Sequence, residues 1–89
     1  MERTIMIILV ASRTRHATAV QSILTEWGCS IRTRLGLHDA GPDACSASGL
    51  IILELVGDPS RHTALEERLS SLAGVTTRLV SLSVSDDPG

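Results

Sequence analysis

The chain has 89 residues, of which 43% are hydrophobic, and its formal net charge is −2. This length fits one domain, and a chain so short buries only about 60–65% of its unfolded surface, so a partner chain would add stability. A slightly acidic domain offers no electrostatic attraction to nucleic acid or to anionic lipid. One tryptophan, with no tyrosine or phenylalanine, leaves almost nothing on which bases could stack. We therefore expect no direct contact with nucleic acid.

The first twelve residues, MERTIMIILVAS, contain an apolar run that is too short to span a bilayer and lacks a signal-peptide cleavage region. The two cysteines, Cys29 and Cys45, form no C-x-x-C pair, and we interpret them as small free thiols. The sequence thus predicts a cytoplasmic protein with no membrane contact.

The first half of the chain predicts a strand, a helix and a second strand. Residues 3–11 are apolar and β-branched, as in a strand. Helical spacing then relates Ala17, Val20, Ile23, Leu24 and Trp27, and Gly28 is a suitable stop. Residues 30–38 alternate, as in a half-buried strand. One side of that strand carries Ile31, Thr33, Leu35 and Leu37, and the other carries Arg32, Arg34, Gly36 and His38.

The second half repeats the pattern after a loop at residues 39–48, which are small and polar and include Gly41-Pro42. Residues 49–56 form a strongly apolar strand, and Asp58-Pro59 opens a helix as N-cap and first helical residue. Leu65, Leu69 and Leu72 form its buried stripe, which Gly74 ends. Residues 75–84 form the last strand. We expect one domain over residues 1–84 and a flexible tail over residues 85–89.

The predicted order β-α-β-β-α-β is the signature of a ferredoxin-like α+β sandwich, with a four-stranded antiparallel sheet and two helices on one face. Right-handed crossovers place the first and third strands at the sheet centre. Both are apolar on their two sides, whereas strands of a sheet with one solvent-exposed face should alternate apolar and polar residues. Because uncovered apolar side chains would forfeit several kcal/mol at about 25 cal/mol per Å², we expect a homodimer or higher homo-oligomer formed through the sheet.

The chemistries that this topology hosts elsewhere find little support in the residues. The third strand, GLIILELV, lacks the aromatic and basic residues of RNA-recognition domains, and the first loop, SRTRH, lacks the cysteines of metal chaperones. That loop does hold arginines, as in acylphosphatase-like enzymes, but without the flanking glycines. No nucleophile–base pair stands out, so we expect no enzyme and no cofactor. Metal ligands are available in principle in His16, His38, His62 and Cys45, but without paired spacing.

The arginines of the second strand have two interpretations. Arg32 and Arg34 lie on a predicted edge strand, where charge prevents edge-to-edge aggregation. Alternatively they join His38 and the first-loop residues Arg13 and His16 in holding an anionic ligand at a subunit junction. Glu54, alone in an apolar strand, either pairs with an arginine at an interface or reaches water from the strand end.

Five short motifs resemble the ACT-like family of iron-only hydrogenase system regulators. They are IMIILVASR, ILTEWG, RLG at residues 34–36, GLIILELVGD at 49–58 and LSSLAGVTTRLVSL at 69–82. The similarity spans nearly the whole chain. It departs after Gly36, where Leu37, His38 and Asp39 replace an I-P-Y-like segment and a longer loop follows.

The resemblance implies an ACT-like fold, oligomerisation and a regulatory role. In ACT domains small ligands, often amino acids, bind at subunit interfaces near the first strand–helix loop. By analogy Arg13, His16, Arg34 and Gly36 are the candidate ligand-binding residues, and Gly36 either permits close backbone approach or relieves strand crowding. We expect a non-enzymatic sensing module for an anion or amino acid, acting through a protein partner. A purely structural interaction module and a nickel or zinc sensor are the alternatives.

Overall fold

The computed structural model describes residues 1–11, 13–37 and 49–85, and for residues 13–17 and 37 it describes the backbone alone. Within these residues the order of elements is the predicted one. The strands are β1 (Glu2–Val10), β2 (Ile31–Leu37), β3 (Gly49–Leu55) and β4 (Val75–Ser83). The helices are α1 (Arg13–Glu26) and α2 (Pro59–Ser70), with a short 3₁₀ helix at Gly28–Ser30. Of the predicted tail at residues 85–89, the part from residue 86 onward lies outside the described residues.

The four strands form one antiparallel sheet in the order β2-β3-β1-β4. Thr4 of β1 lies opposite Leu55 of β3, and Val10 lies opposite both Gly49 of β3 and Val75 of β4. The prediction that β1 and β3 occupy the centre is confirmed, because each helix carries the chain across one intervening strand position. The fold is the ferredoxin-like βαββαβ sandwich that the sequence predicts.

The core lies between the sheet and the two helices. Its fully buried side chains include Met6 and Ile8 of β1, Leu53 of β3, and Leu65 and Leu69 of α2. From α1 it receives the apolar side chains that recur at helical spacing, which are Val20, Ile23 and Leu24. Each such side chain stabilises the fold by about 1.5–3 kcal/mol when it leaves water. The helical spacing thus predicted the buried side chains of α1 and α2 correctly, whereas Trp27 and Leu72, which were assigned to the same stripes, lie beyond the helix ends and are partly buried.

The start of α2 follows the prediction, while the ends of both helices differ from it. The Asp58 carboxylate accepts a hydrogen bond from the Ser60 amide at 2.9 Å, and Pro59 occupies the first turn. However, α2 ends at Ser70, and Gly74 instead adopts φ 77° in the turn into β4. Likewise α1 ends two residues before Gly28, which opens the 3₁₀ helix and has no positive φ. Glycine marked a turn in both cases, but not the last helical residue.

A β-bulge changes the alternation predicted for β2. The register of β2 against β3 shifts between Ile31 and Thr33, so the predicted common side for these residues is wrong. Ile31 packs against the core, whereas Leu35 is half exposed on the sheet face without helices. Arg34 lies opposite the fully buried Leu53 and therefore on the helix side, because directly opposed residues share a face. The extra residue of a bulge reverses the sides of every residue after it.

Neither α1 nor α2 combines the length and the apolar character that a bilayer-spanning helix requires, within the residues that the structure describes.

Candidate functional site

The sheet face opposite the helices exposes apolar side chains from three strands, and we call this surface the open face. Its most exposed members retain 37% to 60% of their accessible surface, and they are Ile7, Leu9, Leu35, Val80 and Leu82. On the other side of β1, Met6 and Ile8 are completely buried. The prediction that the central strands are apolar on both sides is thus confirmed, and the open face is the side on which no described helix packs.

An ion pair lies within this apolar surface. Arg3 Nε donates to Glu54 Oε2 and Arg3 Nη2 donates to Glu54 Oε1, both at 2.6 Å. Glu54 itself is buried, whereas about half of the Arg3 side chain is exposed. The hydrogen bonds from Arg3 are the main cause of the lowered pKa of the Glu54 carboxyl; desolvation opposes them, and the charges of Arg3 and Arg32 lower the pKa further. Of the two roles considered for Glu54, the structure shows an ion pair, and the partner belongs to the same chain.

Sequence reasoning missed Arg3 as that partner. The sequence did contain a signal, because every second residue of a strand faces the same side of the sheet. Arg3, Ile5 and Ile7 therefore share one face of β1, and Glu54 shares that face with Ile52 of β3. In an antiparallel pair, two charged residues of opposite sign on the same sheet face can reach each other diagonally.

A cleft with a volume of about 360 Å³ opens where β1 begins and β3 ends. Its walls include Arg3, Arg32 and Glu54 together with the apolar side chains of Met1, Val56 and Pro59. We call this cavity the Arg3–Arg32 cleft. The buried His62 also lines it, and its Nε2 donates a hydrogen bond to the Val56 carbonyl at 2.8 Å. Because a carbonyl only accepts, Nε2 carries the proton and this nitrogen is not available to a metal.

Of the residues predicted to bind a ligand, three lie toward the other end of the sheet, and Arg34 lies between the two ends, because it is opposite Leu53, which is opposite Met6 in the middle of β1. The backbone of Arg13 and His16 belongs to α1, which follows the end of β1, but their side chains lie outside the described residues. Gly36 lies opposite Ile51, which in turn lies opposite Ile8 near that same end of β1. Arg34 is exposed, two residues earlier on the same side of β2.

These positions do not test whether Arg13, His16, Arg34 and Gly36 bind a ligand, so their assignment as ligand-binding residues stays a prediction. A Cβ added to Gly36 would meet no atom within 4 Å, so relief of crowding does not explain this glycine among the described residues. Arg34 has no ion-pair partner in the described part of the chain. His38, the third member of the predicted polar side, lies outside the described residues.

The described residues contain no group of three or more histidine, cysteine, aspartate or glutamate side chains that could hold a metal ion. Cys29 is an exposed free thiol. Cys45 lies outside the described residues, as does the side chain of His16, so the nickel or zinc alternative stays a prediction.

No protein-family model matches the sequence, and no curated protein matches it significantly. Several solved structures are similar to this chain. The uncharacterized protein TM1266 from Thermotoga maritima is similar over 93% of this chain and 100% of its own, with 26% identity and a TM-score of 0.77.

Two further structures share the fold at lower identity. The ACT domain of GTP pyrophosphokinase from Chlorobium tepidum matches over 98% of this chain and 91% of its own, with 17% identity and a TM-score of 0.60. A nitrogen regulatory PII-like protein, CPII from Thiomonas intermedia K12, matches over 94% of this chain and 93% of its own, with 12% identity and a TM-score of 0.61. The fold of this protein is therefore ACT-like as well as ferredoxin-like, as predicted.

Proposed function

We propose that this protein is a non-enzymatic regulatory module whose copies associate through the open face and respond to a small ligand. The observation that carries the proposal is the open face itself. Isolated exposed apolar residues are normal on a protein surface, whereas a contiguous apolar patch on a small domain marks an interaction site.

The size of the open face supports a second copy as its cover. Its five most exposed side chains, at 37% to 60% exposure, would gain roughly half of the about 1.5–3 kcal/mol that full burial of each provides. A symmetric pair would therefore gain about 8–15 kcal/mol, which can offset an association cost of about 4–15 kcal/mol. A twofold axis also lets one patch serve both partners, since it makes every contact twice.

The comparisons support a regulatory role at the level of fold. A nitrogen regulatory PII-like protein shares this architecture, and so does the ACT domain of GTP pyrophosphokinase. Because one fold hosts many functions, this support is an analogy and the ligand has to be argued from the site. The regulated process that we propose is the iron-only hydrogenase system, and that part rests on the sequence resemblance alone.

Solution mass measures the self-association directly. Size-exclusion chromatography with light scattering at micromolar concentration should give a dimer or a larger assembly, and a stable monomer of 9.5 kDa would contradict the proposal. A monomer would instead favour a different protein partner on the open face.

A thermal-shift screen over amino acids, anions and divalent metals tests the sensing role, because a ligand that binds the folded state raises the melting temperature. Arg34→Ala should abolish the shift if the residues near α1 form the site. Specific capture of a partner without any ligand shift would favour the purely structural interaction module. Stoichiometric retention of nickel or zinc, lost in His38→Ala, would favour the metal sensor.

A further inference from the structure

From the Arg3–Arg32 cleft we infer that this protein binds a small organic carboxylate there, through the guanidinium groups of Arg3 and Arg32. The inference rests on the proposed function, since it names the ligand class of a sensing module. It places the ligand at the end of the sheet where β1 begins, whereas Gly36 and the start of α1 lie toward the opposite end.

Arg3 is oriented for such a ligand before the ligand arrives. Its Nε and Nη2 hold the Glu54 carboxylate with two bonds of 2.6 Å, which fixes the plane of the guanidinium. The opposite edge, formed by Nη1 and the second hydrogen of Nη2, remains available for another planar acceptor. Glu54 is buried, Arg3 is half exposed and both line the cleft, so the guanidinium edge that Glu54 does not hold is the one that we infer to receive the ligand.

Arg32 supplies the charge that Glu54 does not neutralise. It lies at the β-bulge, where the register of β2 against β3 shifts, and it lines the cleft. No ion pair within 4.0 Å holds its guanidinium among the described residues. The Arg3–Glu54 pair is neutral as a unit, and Glu2, the other acidic residue that lines the cleft, accepts a hydrogen bond from Ser83 at 3.4 Å, so Arg32 is the cation that we infer to attract an anion.

The walls of the cleft suggest the rest of the ligand. A carboxylate matches the planar fork of arginine, and Met1, Val56 and Pro59 provide apolar surface for a short carbon chain beside it. A cavity of about 360 Å³ accommodates a small molecule of this kind. Glu54 lies at the same place and would repel a second carboxylate unless both arginines face the ligand, so the site requires Arg32 as well as Arg3.

Titration of the ¹⁵N-labelled full chain with butanoate at constant ionic strength tests the inference, because exposed charge pairs are screened by salt. The Nε–H signals of Arg3 and Arg32 and the amide of Gly57 should shift to saturation, while those of Arg34 should not. Butanamide, the neutral analogue, should cause no saturable shift. Inorganic phosphate should bind more weakly than butanoate, since it lacks the carbon chain.

Two matched variants locate the site. Arg32→Gln should raise the dissociation constant for butanoate about tenfold or more, because a charge-assisted pair is lost. Arg68→Gln removes the same charge from an exposed residue of α2 that does not line the cleft, and it should leave the constant unchanged. If Arg32→Gln does not fold, the assigned Nε–H shifts of the wild-type chain still decide the question.

Several outcomes would overturn the inference. Equal shifts with butanoate and butanamide exclude recognition of the charge, and stronger binding of phosphate excludes the carboxylate class. Loss of binding in Arg34→Gln but not in Arg32→Gln would refute the cleft as the site and leave the proposed function intact. No binding by a protein that still dimerises would refute the cleft without refuting self-association.

Discussion

Replacing Leu9 by aspartate should separate the associated copies while each copy stays folded. Leu9 lies on the central strand β1 within the open face and keeps 49% of its surface exposed in the single chain. Full burial of a leucine is worth about 1.5–3 kcal/mol, so covering its exposed half contributes about 0.7–1.5 kcal/mol per copy. In a symmetric dimer the loss counts twice, at about 1.5–3 kcal/mol.

That loss corresponds to an increase of the dissociation constant by about ten- to hundredfold. An unpaired carboxylate buried in each copy would add to the effect. The folded monomer should lose much less, since aspartate in a strand costs at most about 1 kcal/mol and the position stays accessible to water. Leu9→Ala should weaken the dimer in the same direction but less, because it adds no charge.

Sedimentation velocity over a range of about 1–100 µM measures the constant for each variant. Gln21→Asp adds the same charge on the exposed side of α1 and should leave association unchanged. Circular dichroism and a melting curve check that each variant is folded. Unchanged association of a folded Leu9→Asp variant, or equal weakening by Gln21→Asp, would refute the assignment of the interface to the open face.

Three further predictions concern the fold and the cleft. Glu54→Gln should be less stable than wild type at neutral pH. Since the pKa of Glu54 is lowered in the folded state, the difference in unfolding free energy between the two proteins should shrink below about pH 4.3 and vanish as the folded carboxylate protonates. Urea unfolding at several pH values measures this difference, and a difference that does not change with pH would contradict the prediction. Asp58→Ala should lower the melting temperature by about 4–8 °C through loss of the helix cap, while Asp58→Asn should stay near wild type. Gly57→Ala should destabilise by about 1–2 kcal/mol because of its φ of 88°, whereas Gly36→Ala, which has open space around its Cβ, should not, and equal losses would refute the backbone explanation.

The arginines of β2 fit the two interpretations that the sequence left open. Both Arg32 and Arg34 lie on an edge strand and are exposed, which agrees with the prediction that charge protects this edge from pairing with other chains. The bulge between Ile31 and Thr33 disturbs the edge further. Arg32 in addition lines the cleft. For this residue, protection of a solvent-exposed edge strand and binding of a ligand are therefore compatible roles.

The sequence alone determined the elements and their order. Strand and helix periodicities occupy windows of about 5–15 residues, so local patterns were enough to identify four strands and two helices. The Asp58-Pro59 pair fixed the start of α2 for the same local reason. Even the second apolar face could be predicted, because β1 and β3 carry apolar residues on both sides instead of alternating apolar with polar ones.

The tertiary structure decided what depends on the partner strand. The bulge in β2 places Arg34 on the helix side, and no local pattern distinguishes a bulged strand from a regular one. The ion pair of Arg3 with Glu54 joins residues 51 positions apart, and it follows from the register of β1 against β3. The Arg3–Arg32 cleft likewise needs the start of β1, the bulge of β2 and the end of β3 to meet at one end of the sheet. Register is a relation between strands, and the residues that compose this site come together only when the sheet has formed.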